Sequence, residues 1–158
     1  MLDRKKPLKP VVSRKDRPGP NSEFFGRRAV ETAHLTSVPE LARHLVATLP
    51  DDYEQLRFSA VVYRYLTASP WLIDIAVFGV EDEHIDTELG DMVLCNVGDT
   101  VESHNWVHNG VHRFARCSIV LLTDEQQATH QPSRVAVRHF HLAERVRSLG
   151  QVLVRWLR

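Results

Sequence analysis

Cysteine is scarce in this 158-residue chain: there are two, Cys95 and Cys117, and they form no C-x-x-C pair. A disulfide framework and a cysteine-rich metal finger are therefore not expected, and two isolated thiols in apolar runs read as buried and reduced. No run of eighteen apolar residues occurs, so no stretch reads as a membrane-spanning helix. The seven glycines make no phosphate-cradling loop. Ser103 and Ser118 lack the Gly-x-Ser-x-Gly setting of an activated nucleophile. The carboxylates of Glu81-Asp82-Glu83 and Asp86 to Glu88 have no apolar surroundings to raise a pKa, and read as a solvated acidic loop. No catalysis, cofactor, metal or small-molecule substrate is expected.

Enough apolar sequence is present for a core, since 43% of the residues are hydrophobic. The formal net charge of zero hides a strong segregation. Residues 1–28 hold nine Lys or Arg against three acids, residues 29–131 hold five against sixteen, and residues 132–158 hold six against one. Two basic ends flank an acidic middle. Basic ends of this kind seek phosphate, and an acidic body seeks basic protein or solvent. Such segregation suits a component of a nucleoprotein assembly better than a free-standing enzyme.

The first twenty residues interleave Pro7, Pro10, Pro18 and Pro20 with Lys5, Lys6, Lys9, Arg14, Lys15 and Arg17. Prolines forbid a helix and few residues can join a core, so an extended arm is expected, suited to lying along RNA. The stretch has no apolar h-region and does not read as a secretory signal. Phe24-Phe25-Gly26-Arg27-Arg28 forms an aromatic-basic patch that can anchor this arm. Ser37 then offers an N-cap, with Pro39 and Glu40 in the first turn and Leu41, Leu45, Val46 and Leu49 at helical spacing up to Pro50. His34 and His44 read as surface residues.

Strands are predicted at Leu56 to Leu66, Trp71 to Val80 and Asp91 to Cys95. In the second, alternation sets Leu72, Asp74, Ala76 and Phe78 against Trp71, Ile73, Ile75 and Val77. A strand from Thr100 to Val107 and another from Arg113 to Leu122 flank Asn109-Gly110, whose positive φ preference signals a type I′ hairpin. Five short strands this close together predict a mainly β domain with flanking helices, a five-stranded OB-type barrel, with an SH3-like barrel second. After a polar linker, Asp124 to Ser133, the stretch Arg134 to Arg158 is read as a long amphipathic helix with a basic face. The expected organisation is a basic tail (1–28), a helical segment (29–50), the barrel (51–123), and a linker with a C-terminal basic helix (124–158).

His104, His108 and His112 are spaced as a helical ligand ladder would be. On a strand, however, residues four apart are separated by about 13 Å and cannot share one ion. The hairpin pairing sets Trp106 opposite Arg113 at an exposed tip, where an aromatic and a guanidinium can meet RNA. The candidate RNA-binding residues are therefore Lys5, Lys6, Lys9, Arg14, Lys15, Arg17, Arg27, Arg28, Trp106, Arg113, Arg116, Arg138 and Arg145.

The stretch Cys95-Asn96-Val97-Gly98-Asp99-Thr100-Val101-Glu102 resembles the C-x-V-G-D-x-V-E signature of the seventeenth small-subunit ribosomal protein family. Ala60-Val61-Val62 and Trp71 to Val77 are similar to two earlier strands of that family, so the resemblance spans residues 56–122. It implies an OB-type barrel, binding to small-subunit ribosomal RNA beside neighbouring ribosomal proteins, and no catalysis. The sequence departs from the family in lacking its basic hairpin tip, occupied here by Asn109-Gly110-Val111-His112, and in the acidity of the barrel region. Those departures fit a mitochondrial member whose contacts have moved into the ends. The alternative reading is an acidic protein-interaction module or ribosome assembly factor.

Overall fold

Helix α1, Val38–Asp52, begins in the computed structural model where its capping chemistry dictates. The Ser37 hydroxyl accepts from the Glu40 amide, and the Glu40 carboxylate accepts in return from the Ser37 amide at 3.0 Å, a reciprocal capping box. Leu41, Leu45, Val46 and Leu49 are buried along one stripe. Pro50 does not end the helix at once; it occupies the last turn, which closes at Asp52. The structure describes residues 24–65 and 71–140.

Two sheets frame the rest. The larger has four strands, β2 (Arg57–Tyr65), β3 (Leu72–Phe78), β6 (Arg116–Leu121) and β7 (Val135–Phe140), in the order β6-β3-β2-β7. Strands β2 and β3 are antiparallel, whereas β6 runs parallel to β3 and β7 parallel to β2. Parallel neighbours need long crossovers. The one from β3 to β6 holds α2 (Asp82–Ile85), α3 (Glu88–Glu102), β4 (Trp106–His108) and β5 (Val111–His112). α4 (Asp124–Thr129) lies between β6 and β7. The smaller sheet joins β1 (Phe24–Phe25) to β4 and β5, all antiparallel. The core lies between one face of the large sheet (Phe58, Ala60, Val62, Ile73, Ile75 and Val77) and the apolar stripes of α1 and α3. Full burial of side chains this size contributes roughly 1.5–3 kcal/mol each.

The described chain is thus a mixed α/β protein with two open sheets, and no closed barrel forms among the described residues. The largest departure from the sequence reading is α3. The expected strands Asp91 to Cys95 and Thr100 to Val107 give way, as far as Glu102, to one fifteen-residue helix that also takes in the residues between them. Val93, Val97 and Val101, four residues apart, are each fully buried in it. Burial of that stripe outweighs the modest strand preference of valine and threonine. The Cys95 to Glu102 signature of the ribosomal resemblance therefore sits on a helix, while its two earlier stretches fall on β2 and β3.

Val135–Phe140 also departs, forming an edge strand rather than the start of a helix: Ala60 to Tyr65 pair in register with Val135 to Phe140. Val135-Ala136-Val137 suits a pleated surface, and the tertiary ladder with β2 decides the matter. The remainder of that expected helix lies outside the described residues. The Asn109-Gly110 turn is as expected, but the hairpin around it is short, and the strand expected to continue it, β6, pairs with β3 in the larger sheet instead. Asn109 (φ 50°) and Gly110 (φ 73°) both take positive φ, and Val107 pairs with His112 and His108 with Val111. Cys95 lies on α3 rather than a strand, Cys117 lies on β6, and neither is in a disulfide.

Candidate nucleic-acid interface

Strand β3 buries Ile73, Ile75 and Val77 against the helices, so period-two alternation turns Leu72, Asp74 and Ala76 to the other face, where all three are half-buried. The register then assembles a row across four strands. Leu72 lies between Arg116 on β6 and Tyr63 on β2, and Tyr63 is also paired with Arg138 on β7. Three strand spacings separate the two arginines, about 14 Å. Both are exposed. In the next row Asp74 lies between Val61 and Ser118, with Ala136 beyond.

The Asp74 carboxyl is pushed above the usual carboxylate range by burial, against the opposing pulls of a hydrogen bond from Tyr63 and the charge of Arg116. One residue beyond the arginine row, Arg64 pairs with His139, and the Arg64 guanidinium lies 5.4 Å from the centre of the Trp71 ring. This end of the sheet is basic and aromatic. The other end is acidic: Glu81, Asp82 and Glu83 follow β3, Asp124 and Glu125 follow β6, and the Asp124 amide donates to Asp82 Oδ1 at 2.8 Å. At that end Glu81, Glu83 and His84 bring one donor atom each within 4.8 Å of one another, with both carboxylates 3.5 Å from His84 Nε2.

Two of the sequence-predicted contacts, Arg116 and Arg138, are thus brought together. Arg113 is not one of them: it is a correction to the exposed tip. Its guanidinium is buried, Nη1 donating to Thr32 Oγ1 at 2.7 Å and to the His104 carbonyl at 2.9 Å, Nη2 to the Thr32 carbonyl at 2.7 Å and the Leu35 carbonyl at 3.3 Å. Burial lowers its pKa from the ordinary arginine value. Five donors in a rigid fork can satisfy a cage of neutral oxygens that lysine could not.

His104 closes the same network. It is fully buried, with Nδ1 3.2 Å from Thr32 Oγ1. Because Arg113 donates to that hydroxyl, the hydroxyl hydrogen is free to go to Nδ1, which leaves the imidazole proton on Nε2. Among the described residues Nε2 has no hydrogen-bond partner. Its pKa falls to about 4, chiefly through burial and then through the charge of Arg28. The His44 ring stands edge-on at 6.0 Å, half-buried rather than at the surface, and its pKa too is lowered by burial. The three-histidine ladder is dispersed, with His104 inside, His108 exposed and His112 half-buried.

Arg28 is also engaged, with Nε donating to Glu31 at 3.0 Å and Nη1 to Asp52 at 2.9 Å. Burial, which lowers its pKa, is outweighed by those hydrogen bonds and charges, so the value is raised. Its charge is spent within the protein. Arg27 is exposed, and Trp106 is half-buried on β4 beside β1. Lys5, Lys6, Lys9, Arg14, Lys15, Arg17 and Arg145 lie outside the described residues.

Sequence reasoning did not single out Tyr63 or Asp74 for this surface; Arg64 and Trp71, next to Tyr63 and Leu72 in sequence, alternate to the opposite face, where Trp71 packs against the core. Alternation alone could have turned Asp74 outward, but only the parallel β2–β7 ladder brings Arg138 to Tyr63. Comparison of the chain with protein-family models, with curated proteins and with solved structures finds no match.

Proposed function

We propose that the chain is a non-catalytic RNA-binding component of a ribonucleoprotein particle. The particle implied by the sequence resemblance is the small ribosomal subunit of mitochondria, where ribosomal RNA and neighbouring ribosomal proteins would be the partners. The observation that carries the RNA reading is the row Arg116–Leu72–Tyr63–Arg138, with two cations about three strand spacings apart on either side of an aromatic ring. The acidic residues after β3 and β6 occupy the opposite end of the sheet and leave this one attractive to phosphate.

Full-length protein titrated with unstructured RNA over a salt series tests the reading. Affinity is expected to fall linearly in log–log form with added salt, as counterion release requires. Flat salt dependence, together with absence of the protein from small subunits on a gradient, ends it. The acidic end of the sheet favours a second reading, a module that holds a basic protein segment there. That reading predicts sedimentation with precursor particles rather than mature ones.

A further inference from the structure

The three-stranded sheet has an outer face that the arginine row does not use. Phe24 pairs with Val107, which pairs with His112, and Val107 is 1% exposed, so these three face inward. Phe25, Trp106, His108 and Val111 therefore share the outer face. Phe25 is 65% and Val111 55% exposed, and the Phe25 and His108 rings lie 6.4 Å apart, tilted by 48°. Single exposed apolar residues are ordinary, but four side chains gathered on one small sheet face make a patch. The backbone holds the patch firmly, since the Gly26 amide donates to the Asn105 carbonyl and the Arg28 amide to the Ser103 carbonyl, both at 3.0 Å.

Charge indicates what the patch would meet. Arg27, two residues beyond Phe25, is exposed, and the sequence entering β1, residues 1–23, holds seven Lys or Arg against three acids. An apolar protein surface gains nothing from such a neighbour, whereas a polyanion with flat apolar faces gains from both parts. We propose that this face is a stacking platform for unpaired nucleobases, with Phe25 and Trp106 as the stacking rings and Arg27 on the adjoining phosphate. The inference rests on the RNA-binding reading and narrows it to single strands. Bases inside an A-form duplex stack on one another and offer no face to an aromatic ring. Directly opposed residues lie about 5 Å apart and residues two along a strand about 7 Å, room for two or three bases.

The test uses the full chain, a fluorescently labelled unstructured oligonucleotide and a duplex of equal length. Phe25→Ala is the principal variant, because so exposed a side chain can be removed with an unchanged thermal midpoint. Single-strand affinity is expected to fall about tenfold, with the salt slope and the duplex affinity unchanged, and Phe25→Trp is expected to restore it. Wild-type binding that Phe25→Ala leaves intact overturns the platform alone. Intact RNA binding with altered self-association in Phe25→Ala overturns it in favour of a protein contact. Absence of salt-dependent RNA binding by the wild type overturns the RNA reading itself, before any variant is made.

Discussion

Arg113 follows a hairpin whose sequence places it in solvent, and it is instead the hub of a buried polar cluster. Its four acceptors are neutral oxygens of Thr32, Leu35 and His104. Removing it would leave a void in a buried polar cluster in which, among the described residues, only the Thr32 carbonyl and hydroxyl have second partners, the Leu35 amide and His104. Truncation at Arg113→Ala should therefore lower the unfolding free energy by about 3 kcal/mol in denaturant titration. The same variant should leave the salt slope of RNA binding unchanged, because the guanidinium does not reach solvent. His104, beside it, adds a pH dependence. Above its ordinary pKa of 6.5 the imidazole is neutral folded or unfolded and costs nothing. Between 6.5 and about 4 only the unfolded chain takes the proton, so stability falls as pH falls, by at most about 1.4 kcal/mol per pH unit. Below about 4 this contribution levels off. Thermal midpoints measured from pH 7 to 4 should show the fall, and His104→Gln should remove its share.

At the level of elements, local chemistry was legible where it is sufficient. The Ser37 and Glu40 box marks the start of α1, and Ser37→Ala should cost about 1 kcal/mol in a chemical melt. Asn109-Gly110 marks its turn for the same reason: few residues accept two successive positive φ angles. The alternating residues of β3 place its faces correctly before any partner is known. What was not legible depends on partners distant in sequence. Val93, Val97 and Val101 carry a helical stripe, but the β-branched residues around Gly98-Asp99 favour strands locally, and only burial on the core decides. Strand β7 pairs with a strand some seventy residues earlier. No local pattern encodes that pairing, and it supplies half of the arginine row. The candidate site was accordingly half legible: Arg116 and Arg138 were singled out as cations, while Tyr63 between them and Asp74 in the next row were not.

On the scale of the whole molecule, charge is segregated in space across the large sheet, by a grouping that cuts across the segregation along the sequence, since Arg64 and Arg116 belong to the acidic middle segment. Arg64, Arg116, Arg138 and His139 gather at one end, and the carboxylates after β3 and β6 at the other. This is the polarity expected of a body that must meet RNA on one side without drawing phosphate over its whole surface. It also separates the RNA reading from the barrel that first suggested it, because the row is built on an open parallel–antiparallel sheet. The most direct test compares the salt dependence of single-stranded RNA affinity for the full chain and for Arg116→Ala/Arg138→Ala. Losing two phosphate contacts should reduce the log–log slope by about 1.4 and weaken binding to every sequence alike. An identical slope in the double variant would contradict the account.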